Sequence, residues 1–186
     1  MKKYFLLVSV GLMIFLNGCL TFKTVEYQIT VNKDLSTKGK VIFWGVGSDV
    51  ADNDQRKLDL QSLMEHALKS EEFVKDRASE GKKVLSRKVY EKDGLLVAEI
   101  EFSTKHVGEI EGIYVSEKNI YVDVDKASEL VSANGEIVEY GGGKQILWKK
   151  GAVQMKYSVS VYSDEDFKAF SLLEEYKKYM NSKSKK

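Results

Sequence analysis

From Val25 the chain alternates apolar and polar positions. Val25, Tyr27, Ile29 and Val31 point one way and Glu26, Gln28 and Thr30 the other, which predicts a half-buried strand. Lys40 to Gly47, KVIFWGVG, is apolar on both sides and predicts a more central strand. Turn residues between them, Asn32-Lys33-Asp34 and Ser36 to Gly39, make the two a hairpin. The period then changes. Between about Asp52 and Glu80, Leu60, Leu63, Met64, Ala67, Leu68 and Val74 recur at helical spacing. Asp52 or Asn53 is placed to cap the start and Gly81 to close the end; Ser70-Glu71-Glu72 is a point where the helix divides in two.

Period 2 then returns. Lys83 to Glu91 and Leu95 to Ser103 flank Lys92-Asp93-Gly94, and Asp-Gly between two β-rich runs is a strong hairpin signal. Ile110 to Val115 and Asn119 to Val124 flank Ser116-Glu117-Lys118, and Gly135 to Tyr140 and Lys144 to Lys149 flank Gly141-Gly142-Gly143. Ala152 to Tyr162 is the last predicted strand. A helix over Asp164 to about Asn181 ends the pattern, capped by Ser163 or Asp164, with Phe167, Phe170, Leu173 and Tyr176 on its inner face. Runs of strands joined by hairpins, with helices at two points, predict an α+β domain. Its expected form is a single antiparallel, twisted sheet of about 7–9 strands, packed by one long or divided helix after the second strand and by a C-terminal helix.

The first residues follow another rule. Lys2 and Lys3 precede an apolar run from Tyr4 to Leu16, and Asn17-Gly18-Cys19 follow; that is the anatomy of a secretory signal. An uncleaved transmembrane anchor is the rival, since no charge occurs from Tyr4 to Phe22. Leu16-Asn17-Gly18-Cys19 resembles a bacterial lipobox, with Asn17 departing from the usual small residue. The resemblance implies a diacylglyceryl group on the Cys19 thiol, cleavage before Cys19 and an N-acyl chain on the new terminus. It also implies a bacterial cell-envelope address. Leu20 is not the Asp that commonly retains such proteins at an inner membrane, so an outer membrane is preferred where the cell has one. Each buried methylene contributes about 0.8 kcal/mol, so several acyl chains hold a domain on a bilayer where one does so only marginally. The expected organisation is a signal at 1–18, acylated Cys19 with a short linker to residue 24, one domain at 25–181 and a basic tail at 182–186.

Charge narrows the partners. There are 29 Lys and Arg, of which Lys2 and Lys3 lie in the signal, against 28 Asp and Glu. A near-neutral surface lacks the basic stripe of a nucleic-acid binder. Cys19 is the only cysteine, so once acylated it leaves none for a disulfide.

Chemistry is sparse. His66 lies in the first helix with Ser70, not a ligand, at i+4. His106 follows Thr104-Lys105 in a loop, and no G-x-S-x-G occurs. The Asp52-Asn53-Asp54 and Asp123-Val124-Asp125 runs lack the Gly and Glu of a calcium loop. The glycine triplet has no following Lys-Ser/Thr. Glu99 and Glu101 share a strand face, which is expected to be exposed. No catalytic residue, metal or cofactor is predicted beyond the covalent lipid.

The aromatics stand out, with ten Tyr, eight Phe and two Trp. Either they fill a core, or Trp44, Tyr114, Tyr121, Trp148, Tyr157 and Phe170 line a cavity between sheet and helices. Asn134-Gly135-Glu136-Ile137-Val138 followed by Ile146-Leu147-Trp148-Lys149, with the lipobox and the early Tyr27-to-Asp34 strand, is similar to the LppM-like group of small envelope lipoproteins. The resemblance implies an α+β lipoprotein domain and no activity. Two function classes follow. One is a non-enzymatic module that binds an envelope protein or another surface; the other is a carrier of a lipid or other apolar ligand in the aromatic-lined cavity.

Overall fold

The computed structural model describes residues 20–124, 128–141, 143–160 and 170–183. It begins with a two-residue strand, β1 (Leu20–Thr21), then β2 (Thr24–Val31), β3 (Thr37–Trp44) and the short β4 (Gly47–Ser48). Helix α1 (Asn53–Ser62) runs into a π-helical turn, Leu63–Ala67, and α2 (Glu71–Ser79) follows. The next strands are β5 (Lys82–Lys92), β6 (Leu95–Thr104), β7 (Ile113–Val115), β8 (Asn119–Val124), β9 (Glu129–Ala133), β10 (Glu136–Tyr140), β11 (Gly143–Lys149) and β12 (Val153–Ser160). The two-residue β13 (Phe170–Ser171) and α3 (Leu173–Lys183) complete it.

The expectation of an α+β domain on a single sheet is overturned. The described chain is mostly β, and its strands form three sheets. Six strands lie in the order β5-β6-β3-β2-β12-β9, four in the order β10-β11-β8-β7, and the three short ones in the order β1-β4-β13. All pairings are antiparallel. The physical reason lies on one face of the six-stranded sheet. The register sets Val25, Tyr27, Ile29 and Val31 beside Phe43, Val41, Gly39 and Thr37, and these beside Ala98, Ile100, Phe102 and Thr104. Residues directly opposite in an antiparallel pair share a face, so this face is apolar from Val25 to Phe102 and closes on the hydrogen-bonded Thr37–Thr104 pair, and the helices cover only one end of it.

At that end Leu60, Leu63 and Met64 from the helical segment, Leu172 and Leu173 near α3, and Leu96 from β6 form one core. At the other end the four-stranded sheet closes over the face. Ile113, Ile120, Val122, Val124, Ile146 and Trp148 pack there with Ile29, Val31, Phe102, Met155 and Tyr157. A period-2 pattern states which side of a strand is buried but not whether the strand joins one sheet or faces it, so both arrangements satisfy the same sequence.

Local signals hold where they are steric. Asp93 and Gly94 both have positive φ, 52° and 73°, as a two-residue hairpin turn requires. Asp52 Oδ1 accepts from the Asp54 and Gln55 amides at 3.0 and 2.8 Å and caps α1. Ser70 caps α2, so the helical stretch does divide there. The Phe102 ring lies over Gly39, whose added Cβ would sit 2.5 Å from Cζ. Several boundaries move. The second strand spans Thr37–Trp44 rather than Lys40 to Gly47, the strand expected from Ile110 to Val115 is Ile113–Val115 after a 3-10 turn at Val107–Glu109, the described C-terminal helix is Leu173–Lys183, and Phe170 lies in a strand rather than on a helix face. Ser163, Asp164 and Phe167 lie outside the described residues.

Candidate interaction site

The chain crosses from the six-stranded to the four-stranded sheet at Asn134-Gly135, between β9 and β10. Asn134 makes the crossing rigid. Its Oδ1 accepts from the Trp148 indole N–H at 2.9 Å and from the Lys156 amide at 2.8 Å, and its Nδ2 donates to the Gln154 carbonyl at 2.8 Å. Gly135 is required by space, since an added Cβ would lie 2.7 Å from Ile146 Cγ2 and 2.7 Å from Trp148 Cε2.

This crossing places two edge strands on one side of the sandwich. β9 ends the six-stranded sheet and β10 ends the four-stranded sheet, and neither outer edge is paired among the described residues. Every residue of β10 is exposed, including Ile137 (49%), Val138 (39%) and Tyr140 (49%), and Val131 on β9 is exposed at 57%. These four and Tyr114 are five of the eight exposed large apolar residues in the described chain. The β10–β11 register sets Glu136 beside Leu147, Ile137 beside Ile146, Val138 beside Gln145 and Glu139 beside Lys144. Ile146 is fully buried while Ile137 beside it is 49% exposed.

The outer face of the four-stranded sheet is mixed, with Val138 beside Gln145 and Gln145 beside Asp123. Tyr114, Tyr121, Leu147 and Glu136 form one row across β7, β8, β11 and β10. The rings of Tyr114 and Tyr121 stack with centroids 5.3 Å apart.

The other aromatics singled out from the sequence lie in three places. Trp148 and Tyr157 are buried in the core between the sheets, where Tyr157 stacks on Tyr27 with centroids 4.6 Å apart. Trp44 is on the solvent face of the six-stranded sheet; its indole N–H donates to Glu26 at 3.0 Å and Lys92 Nζ sits 5.0 Å above its ring. Phe170 is half-buried in β13.

Two apolar cavities lie between the sheet and the helices. One, of about 40 Å³, is lined by residues that include Phe22, Phe43, Leu63 and Phe73. The other, of about 60 Å³, is lined by residues that include Tyr27, Val41, Phe73 and Phe102. None of the six singled-out aromatics lines either. A drug-sized ligand needs roughly 300 Å³ or more. Phe73, the single buried residue of α2, lines both, as do Phe43 and Ile100, and the Arg77 and Arg87 guanidinium groups lie 5.8 and 5.5 Å from its ring centre.

The polar candidates are accounted for by structure. Glu99 is buried, contrary to expectation, but it is not alone. Lys40 Nζ lies 3.1 Å away, Lys88 Nζ 3.6 Å, and the Tyr90 hydroxyl donates at 3.0 Å. Burial raises its pKa, but the hydrogen bonds from Lys40 and Tyr90, with the charges of Lys40 and Lys88, outweigh that and hold the carboxyl below its usual range. Glu101 shares Lys40 at 3.4 Å. His106 Nδ1 accepts from the Gly108 amide at 3.0 Å, and Glu109 reaches back to the His106 amide, so the pair forms a capping box. His66 is exposed in the π-helical turn. Asp123 accepts from Gln145 Nε2 at 2.8 Å.

Cys19 and Leu16-Asn17-Gly18 lie outside the described residues; Leu20, directly after Cys19, is buried in β1. No helix among the described residues is long and apolar enough to cross a membrane. No family model matches the chain, and neither a curated protein nor a solved structure matches it.

Proposed function

We propose that the protein is a lipid-anchored lipoprotein of a bacterial envelope, held by acylated Cys19, that acts as a non-enzymatic binding module and takes its partner on the open edge of β10. One observation carries the docking assignment: five consecutive exposed residues, three of them large and apolar, on an edge strand that no described strand pairs. Such an edge presents backbone donors and acceptors in strand geometry. Edge strands are ordinarily blunted by charged side chains, proline or a bulge; β10 carries the acids Glu136 and Glu139 but no lysine or proline, and its exposed Ile137, Val138 and Tyr140 offer the apolar side chains that strand addition uses. The carrier reading is the weaker one, because the cavities of about 40 and 60 Å³ do not admit an acyl chain without rearrangement of Phe73.

The test is purification of the full chain from its own membranes in mild detergent, beside Ile137→Lys/Val138→Lys. Both positions are exposed, so the fold is expected to survive. A protein that accompanies the wild type in stoichiometric amount and is lost from the variant supports the assignment. The same protein retained equally by both removes β10 from it.

A further inference from the structure

We infer that the partner of β10 is an extended segment of another protein in which two apolar residues lie between two cations; this rests on β10 being the docking strand. Among the described residues, the two open edge strands carry acids and no cation. Glu136 and Glu139 are the only charged residues of β10, and Glu129 is exposed on the neighbouring edge, β9. On its paired side β10 has Lys144 beside Glu139 and Ile146 beside Ile137, while Leu147 lies beside Glu136 and Gln145 beside Val138, so Glu136 meets no cation there.

Glu136 and Glu139 are three residues apart, so they lie on opposite faces of the strand. Ile137 and Val138 lie between them. An antiparallel strand added at the free edge therefore meets, in order, an acid, two apolar residues and an acid. Opposite charges across an antiparallel pair are favourable and like charges directly opposite are not. The complementary segment reads Lys/Arg, apolar, apolar, Lys/Arg. A second copy of this chain is the weaker occupant. Two β10 edges brought together place four carboxylates in one seam without a cation from either strand.

The probe is a pair of labelled ten-residue peptides centred on Lys-Val-Ile-Lys and on Glu-Val-Ile-Glu. Their binding to the full chain in neutral detergent is followed by fluorescence anisotropy at low salt. The Lys peptide is expected to bind on the order of tenfold more tightly than the Glu peptide, since two cross-strand pairs change sign. Glu136→Lys/Glu139→Lys reverses the order, and Glu136→Gln/Glu139→Gln levels it; the second variant keeps the test open if the first unfolds. Methylating alternate peptide amides abolishes binding in one frame and spares it in the other, because only one edge of an added strand faces β10. Equal affinity for both peptides with the methylation frame effect intact overturns the cationic partner and leaves the docking edge standing. Binding that ignores the methylation frame overturns the docking edge itself. Failure of both peptides to bind, or self-association of the chain lost in Val138→Lys, overturns the inference.

Discussion

The indole N–H of Trp148 donates to Oδ1 of Asn134 over 2.9 Å, and this bond ties a strand of the four-stranded sheet to the point where the chain leaves the six-stranded one. The same oxygen accepts the Lys156 amide at 2.8 Å. Asn134→Ala leaves Trp148, which is 5% exposed, without its acceptor. A buried donor left unpaired costs about 1–3 kcal/mol, and urea denaturation is expected to show a loss of that size. Asn134→Asp keeps the acceptor and is expected to lose less. An unchanged midpoint for Asn134→Ala contradicts the role given to the crossing.

Glu99 sets the acid response. Its pKa is lowered in the folded chain, so its contribution is present above the unfolded value, near 4.5, and is lost as pH falls through the folded value. Glu99→Gln is expected to cost about 1–3 kcal/mol at neutral pH, the range for hydrogen bonds to a charged group and for an orphaned partner. The gap to wild type should narrow as the solution is acidified. Parallel denaturation curves at neutral and acid pH check this; a constant gap contradicts it.

Tyr27 and Tyr157 set the alkaline response. Tyr27 is pushed up to about 12, chiefly by burial and then by the Glu111 charge, and Tyr157 is raised by burial and by Tyr27. Both hydroxyls stay protonated in the fold while unfolded tyrosines ionise near 10. The stabilisation is complete below pH 10 and declines as pH rises towards 12. Tyr27→Phe is expected to be less sensitive than wild type to alkali over that window, measured as the change in denaturation midpoint. Equal sensitivity contradicts the assignment.

The elements were legible in the sequence where a steric or capping rule is local. The Asp93-Gly94 turn, the Asp52 and Ser70 caps and the β2–β3 hairpin follow from such rules. The partition into sheets was not legible. Ile113, Ile120, Val122 and Ile146 alternate in a way that fits one extended sheet or a facing one equally well. β9, Glu-Leu-Val-Ser-Ala, escaped because its exposed Val131 and Ser132 break the alternation that would mark it. The Asn134-Gly135 and Trp148 segments stand in the sequence as neighbouring motifs, but their spacing does not say that the asparagine holds the indole. The docking edge was hidden for a related reason. Period 2 puts Ile137 and Val138 on opposite faces of their strand, so one of them would be buried in an ordinary half-buried strand, whereas both are exposed.

The lipid anchor is tested on the whole chain. Native mass spectrometry of the membrane-extracted wild type is expected to show loss of residues 1–18 and the added mass of diacylglyceryl and acyl groups. Cys19→Ala should keep the unprocessed mass and carry no lipid. No second, noncovalent lipid adduct is expected, because the two apolar cavities between the sheet and the helices are about 40 and 60 Å³. A wild type with the unprocessed mass restores the spanning helix, and a stoichiometric noncovalent adduct restores the carrier.

The docking edge itself is tested most directly in the cell, by replacing Val138 with a photo-reactive amino acid and, as a control, Lys38 on the solvent face of the six-stranded sheet. Irradiation is expected to give a discrete crosslinked protein from position 138 and none from position 38. No adduct at 138, or the same adduct from both positions, contradicts a binding module that works through β10.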